Sequence, residues 1–240
     1  MMQAALDIEN LYAWHREFPL LRGLNLQVAS GEICTVLSRN RAGRSAMLRA
    51  IVGLTDSRRG SIRIQGTESI HLSQHQLVDL GVGYSPYEQS IFTGLSCEEN
   101  LLLPPAIGTT LGGGMSLMQI YELLPSLEQR RHHMATQLST GEQKILAIAR
   151  LLRTGVNLLL LDKVSEGLAP VQAQTLIKLI CTLRDEGYTV VLAEQCPQFS
   201  AAFSDRFYVL EHGQIVERFT RSELSHKYET LHALLGDLDL

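Results

Sequence analysis

Residues 33–53 read Ile-Cys-Thr-Val-Leu-Ser-Arg-Asn-Arg-Ala-Gly-Arg-Ser-Ala-Met-Leu-Arg-Ala-Ile-Val-Gly. Ile33 to Leu37 is a short run rich in β-branched residues, the mark of a buried strand. Ser45 to Gly53 carries Ala46, Met47, Leu48, Ala50, Ile51 and Val52 and ends on glycine, which predicts a helix with its stop. Between them, Ser38 to Ser45 stands where a phosphate-binding loop belongs. Such a loop needs G-x-x-x-x-G-K-[ST]: its glycines let backbone N–H groups curl around an anion, and the helix N-terminus adds its positive end. Gly43 and Ser45 match, but the first glycine is Ser38 and the lysine is Arg44. Taken alone, an arginine-bearing strand–helix turn describes the stretch as well.

Working outward, Leu6 to Asn10 and Leu24 to Val28 alternate apolar and polar residues as half-buried strands do. Ser61 to Gln65 repeats that pattern, and Gly81 to Tyr84 is a short strand stopped by Pro86. Ser96 and Glu99 form a capping box that opens a helix through Leu103. Pro104-Pro105 and the glycine-rich 108–114 follow, then helices over Leu117 to Leu124 and Gly141 to Leu152. Leu158 to Leu161, Thr189 to Ala193 and Phe207 to Leu210 return to strands. Helix Val171 to Asp185 lies between the first two, and a hairpin at Gly213 leads into Ile215-Val216. The expected fold is α/β, with an antiparallel β part near the N-terminus and a helical subdomain. The expected division is one domain over 1–240, with a core of 1–91 and 153–240 and the helices over 92–152.

Composition agrees with a single packed domain. The chain has 240 residues, 45% hydrophobic and 19% charged, enough apolar material for a core and too little charge for disorder. Lys plus Arg number 21 against 25 Asp plus Glu, a formal net charge of -4, which leaves no electrostatic footprint for nucleic acid. The four cysteines are dispersed with no C-x-x-C pair, so neither a disulfide framework nor a structural zinc site is expected. No basic-then-apolar leader is seen, and no apolar run approaches the ~20 residues of a membrane helix. His132-His133, beside Arg130-Arg131, has no ligand-spaced carboxylate or cysteine and reads as an exposed helix end. Arg58-Arg59 reads as a polar turn.

Further motifs follow in order. Leu138-Ser139-Thr140-Gly141-Glu142-Gln143 precedes a helix. Leu158 to Asp162 is an apolar strand ending in an acid, as a Walker B strand must be to hold Mg²⁺. Ser165-Glu166-Gly167-Leu168-Ala169-Pro170 comes next. This set resembles the ATP-binding subunits of ABC transporters, and among them the LivF-type subunit of branched-chain amino acid uptake systems. The likeness runs nearly end to end: Gly31-Glu32-Ile33, Gly83-Tyr84, Ile91-Phe92, Leu95 to Leu101, Glu194-Gln195, Ala202 to Val209 and Glu211 to Val216 all fit the family.

The resemblance implies roles by position. His15, with Trp14 beside it, falls where an aromatic ring stacks adenine. Ser38, Arg39, Asn40, Arg41, Ala42, Gly43, Arg44, Ser45 and Ala46 form the phosphate loop, while Ser45 and Asp162 hold Mg²⁺. Tyr87 takes the Q-loop glutamine, Lys163 the catalytic glutamate and Gln195 the switch position. Ser139, Thr140, Gly141 and Glu142 form the signature that serves the partner's nucleotide.

Departures concentrate at these positions. Ser38 and Arg41 replace glycines, and a left-handed Arg41 would cost on the order of 1–2 kcal/mol. Arg44 exchanges a compact ammonium for a planar fork. A protonated Lys163 accepts no hydrogen bond and cannot polarise a water. Thr140 adds a side chain where backbone should approach nucleotide, although Ser139 and Glu142 also make an ordinary capping box. Arg39, Arg41, Arg44 and Lys163 are expected to gather around one helix N-terminus and favour an anion.

The resemblance implies an ATP-binding subunit of an ABC importer, with branched-chain amino acids as cargo and a urea-type system as the variant. Its cofactors are ATP, bound weakly or in an altered way, and Mg²⁺. Its partners are membrane permease subunits and a second ABC ATPase, LivG-type or a copy of itself, with no nucleic acid. Its place is cytoplasmic, peripheral on the inner face of the membrane. Lys163, Arg44 and Tyr87 argue for lost or very weak hydrolysis, which opens a second reading as a pseudo-ATPase beside an active subunit. A nucleotide- or anion-sensing module without transport is the third.

Overall fold

A computed structural model describes residues 4–39, 41–87, 91–103, 113–195 and 197–236. In chain order the strands are β1 (Ala4–His15), β2 (Phe18–Ala29), β3 (Ile33–Leu37), β4 (Ser57–Ile64), β5 (Thr67–Glu68), β6 (Val82–Ser85), β7 (Leu158–Asp162), β8 (Thr189–Glu194), β9 (Arg206–Glu211) and β10 (Gln214–Thr220). The helices are α1 (Arg41–Ile51), α2 (Gln74–Asp79), α3 (Cys97–Leu102), α4 (Leu117–Leu123), α5 (Pro125–Gln129), α6 (Thr140–Leu152), α7 (Pro170–Asp185) and α8 (Tyr228–Leu235).

Two sheets result. One is antiparallel, in the order β2-β1-β4-β5; the other runs β10-β9-β3-β8-β7-β6, parallel from β9 through β6 with β10 antiparallel at its edge. Alternation along β7 sets the layers. Leu158 and Leu160 pack with Met47, Leu48 and Ile51 of α1 and with Leu6 and Ile8 of β1, so α1 is held between the two sheets. Leu159 and Leu161 face the opposite way, onto Ile145 and Ile148 of α6 and Leu176 and Ile180 of α7. A third group, Leu37, Phe207, Val209 and Phe219, receives Leu231 and Leu235 of α8. Burial of such apolar surface stabilises by about 25 cal/mol per Å², and an all-apolar β7 buried on both faces uses it fully.

Several strand expectations are too short. β1 and β2 run well beyond the alternating stretches because register shifts around Asn10, which has φ 48°, let the strand continue past a break in the pattern. Arg58 and Arg59 are not a turn: both lie in β4, where Arg58 Nη1 donates to the carbonyls of Ala50 (2.5 Å) and Ile51 (3.0 Å) at the end of α1. The glycine-rich 108–114 lies almost wholly outside the described residues.

Candidate functional site

Strand register gathers the motifs. Parallel pairing sets Leu37 beside Glu194, Asp162 beside Ala193 and Ser85 beside Leu161. The segments after β3, β6, β7 and β8 therefore leave at one edge, the carboxyl edge where open α/β sheets bind ligands.

The segment after β3 departs from expectation. α1 begins at Arg41, four residues before the expected Ser45, so Arg41 is helical and the left-handed strain anticipated there is absent. The cause is local: arginine and alanine are good helix formers, and with Ser38 and Arg41 in place of glycines nothing favours a curled loop. Ser38 is buried and donates its N–H to the Glu194 carbonyl at 3.2 Å. Gly43 lines a shallow cavity of about 200 Å³ with Ser38, Arg22 and His212. Asn40 and the side chains of Arg41 and Ala42 lie outside the described residues.

Among the described cations, Arg39 does not join the others expected around the helix N-terminus. Arg39 is exposed, and its guanidinium lies beside Gly236 after α8. Arg44 is 1% exposed, turned into the core, where its charge acts on both Asp162 and Glu194. Lys163 acts on Asp162 as well, from its place over the Tyr87 ring.

Asp162 ends β7 almost fully buried. Burial pushes its carboxyl above the usual carboxylate range, against the pull of Ser45, Lys163, Arg44 and Tyr84. Its Oδ1 has no hydrogen-bond partner among the described residues. The strain missing at Arg41 appears at Lys163, whose φ is 52°. That backbone is held from both sides: the Lys163 N–H donates to the Ala193 carbonyl (3.0 Å), and Lys144 Nζ of α6 donates to the Lys163 carbonyl (2.9 Å) and to the Glu166 carbonyl. The Lys163 ammonium lies 4.8 Å from the centroid of the Tyr87 ring, with the Lys144 ammonium 5.6 Å from it. The Tyr87 hydroxyl donates to Glu166 Oε1 at 3.3 Å. Burial pulls the Lys144 ammonium below its ordinary value, while Glu194 and Glu166 oppose that shift.

Glu194, next to the expected switch residue, is the larger omission from the sequence reading. It is 3% exposed, and its carboxylate accepts from Ser165 N–H (3.1 Å) and Ser165 Oγ (2.7 Å). Burial pushes it above the usual range, against the Ser165 bonds and the charges of Arg44 and Lys144. Gln195 itself is exposed. The available signal was an acid ending an apolar strand, the same feature that marks Asp162.

A cavity of about 340 Å³ opens between the two sheets, lined by Trp14, His15, Ser45, Ala46, Arg49 and Lys163 among others. His15 Nδ1 lies 3.0 Å from Asp56 Oδ2, which also accepts the Arg16 N–H at 2.6 Å. Trp14 stacks on Tyr12 (6.1 Å, 17°), with the Arg59 guanidinium over both rings. Expected rings and phosphate-loop residues therefore share one cavity. Mg²⁺ fits it poorly. Asp162 does not line it; Ser45, which does, hydrogen-bonds to the Asp162 carboxyl, and two cationic groups, Lys163 and Arg44, already act on that carboxyl where the ion would need it. Among the described residues no group of three or more His, Cys, Asp or Glu is placed to hold a metal.

At the N-terminus of α6, the helix that carries Lys144, Ser139 is the cap. Its Oγ accepts the Glu142 N–H (3.3 Å), donates to Glu142 Oε2 (2.6 Å) and receives Gln172 Nε2 of α7 at 2.6 Å. Thr140 is exposed, and Gly141 is buried against Gln172, where an added Cβ would meet Oε1 at 2.3 Å. A glycine is required there by the approach of α7.

The model of the family described as ABC transporter matches residues 21–165. The chain belongs to that family. As an ABC chain it is 33% identical over 231 residues to the high-affinity branched-chain amino acid transport ATP-binding protein BraG of Pseudomonas aeruginosa, covering 96% of this chain and 99% of the relative. It is 30% identical to the probable branched-chain amino acid transport ATP-binding protein LivF of Archaeoglobus fulgidus, covering 92% and 95%. It is also 28% identical to the lipopolysaccharide export system ATP-binding protein LptB of Escherichia coli, covering 98% of each chain. The fold matches an ATP-binding cassette of an ABC transporter in its ADP conformation with a TM-score of 0.81 at 21% identity, covering 98% and 99%. Among the described residues no helix is long and apolar enough to cross a membrane.

Proposed function

We propose that this ABC subunit takes up nucleotide but does not hydrolyse it, and serves an importer of branched-chain amino acids. In this reading it sits on the cytoplasmic face of the membrane against permease subunits and pairs with a second, competent ATPase. The observation that carries the reading is the neighbourhood of Lys163. Where a carboxylate should polarise water, an ammonium lies over the Tyr87 ring instead. Of the other carboxylates at this edge, Glu194 accepts from Ser165, Glu166 accepts from Tyr87, and Asp162 lies under the charges of Lys163 and Arg44. A protonated Lys163 cannot take a proton from water, and loss of a general base costs roughly 10²–10⁴-fold in rate. The two branched-chain amino acid relatives support the cargo class.

The test is phosphate release by the purified chain with ATP and Mg²⁺. The expected result is background, and Lys163→Glu alone should not restore turnover because Tyr87 and Arg44 remain. Turnover near 1 s⁻¹, an ordinary enzyme value, would overturn the reading.

A further inference from the structure

Two departures from the family pattern, Tyr87 and Lys163, are in contact with each other, and two further residues brace them. Lys144 fixes the carbonyls of Lys163 and Glu166, Glu166 receives the Tyr87 hydroxyl, and the Tyr87 face holds the Lys163 ammonium at 4.8 Å. An ammonium over an aromatic face is stabilised without surrendering its charge. Its charge acts on the Asp162 carboxylate, and among the described residues it makes no salt bridge within 4 Å, so its N–H donors can turn to a further anion. The result is a braced cation.

This cation lines the same cavity as the Ser45 hydroxyl, the Arg49 side chain and the Trp14 and His15 rings. The volume, about 340 Å³, lies in the range of small-ligand pockets. Its chemistry is mixed, with rings at one end and positive charge at the other, which suits a nucleobase joined to phosphates. Beside it Asp162 Oδ1 lies buried with no partner among the described residues. A divalent ion entering here would meet the Lys163 charge in the cavity lining, with Arg44 acting on the same Asp162 carboxyl, and like charges repel most where water is excluded. A polyphosphate without metal would instead meet a fixed ammonium.

We infer that Lys163 takes the place of the divalent metal, so that the cavity binds nucleoside di- or triphosphates in their metal-free form. The inference rests on the nucleotide-binding reading above and deepens it. Lys163 contributes charge-assisted hydrogen bonds to phosphate oxygens, Tyr87 and Lys144 position it, and no bond is made or broken.

Calorimetric titration of the intact chain with ATP and with ADP, each in EDTA and in Mg²⁺, tests this. Binding in EDTA equal to or tighter than in Mg²⁺ is expected. Lys163→Met should weaken the EDTA affinity by at least about tenfold, the worth of one charge-assisted bond, while Lys163→Arg retains it. An unchanged thermal midpoint in the absence of nucleotide separates lost binding from lost fold. Binding that requires Mg²⁺, or an EDTA affinity indifferent to Lys163→Met, would overturn the inference and leave the nucleotide-binding reading standing. No binding under either condition would overturn both.

Discussion

Glu194 shows how a single residue ties the site together. It ends β8 inside the core and gives both oxygens to Ser165, so the segment after β7 is anchored to the neighbouring strand. Glu194→Ala would leave the Ser165 donors unmatched and take one of the counter-charges from Arg44 and Lys144; a loss of about 2–3 kcal/mol is expected from denaturant titration. The pH dependence has a defined sign. Burial raises the Glu194 carboxyl in the folded chain, which therefore binds its proton more readily than the unfolded chain. Its contribution to stability is greatest below the unfolded value of about 4.3 and declines as pH rises from there through the raised folded value. Glu194→Gln, which cannot ionise, should flatten that part of the stability curve; a curve superimposable on that of the parent chain would refute the assignment. At this scale the sequence was informative about residue types and poor about directions. Lys163, Tyr87 and Arg44 were marked by their departure from the family pattern. That Arg44 turns inward while Lys163 lies over Tyr87 depends on where α1 begins, and that was settled by helix propensity competing with an absent glycine turn.

Helices with capping boxes were the most legible elements. Ser96/Glu99 and Ser139/Glu142 are both present as read, because a capping box is a local hydrogen-bond pair whose spacing is visible in the chain. α2, α5 and α8 were missed: the first two are only 6 and 5 residues long, and α8 is recognised as core only once Phe207 and Val209 lie beneath it. The long antiparallel strands were truncated in the reading because bulges shift the alternation that reveals them. Two substitutions test α6. Ser139→Ala removes the side-chain cap and should cost about 0.5–2 kcal/mol in thermal or denaturant unfolding. Gly141→Ala places a Cβ within 2.3 Å of Gln172 Oε1 and should cost about 1–3 kcal/mol by forcing α7 away. A neutral Gly141→Ala would show that α7 approaches α6 less closely than described.

A solved ABC cassette described as dimeric matches this fold with a TM-score of 0.74. On the proposed pairing the signature would serve the partner's nucleotide, so the altered phosphate loop and Ser139 would belong to different composite sites. The departures are heavier at the chain's own phosphate loop, where α1 starts early, Arg44 is buried and Lys163 stands at the expected base position, than in the signature, where Thr140 alone departs. The other half keeps its construction, with Ser139 capping α6, Gln172 bracing it from α7, and Ser165 anchored on Glu194. A decaying copy would lose both halves alike. Co-expressed with the LivG-type subunit of its own genome, the chain should co-purify and support hydrolysis by that partner. Ser139→Arg should abolish the activity by blocking approach to the partner's nucleotide. Ser139→Ala, which loses the cap but adds no bulk, should reduce it only partly, and retained helix content in both variants separates blocked docking from unfolding. A subunit that forms no complex, or a complex indifferent to Ser139→Arg, would mean that this signature serves no nucleotide. Hydrolysis that persists when the partner's own catalytic glutamate is replaced would place turnover in this chain after all, against the charge and position of Lys163.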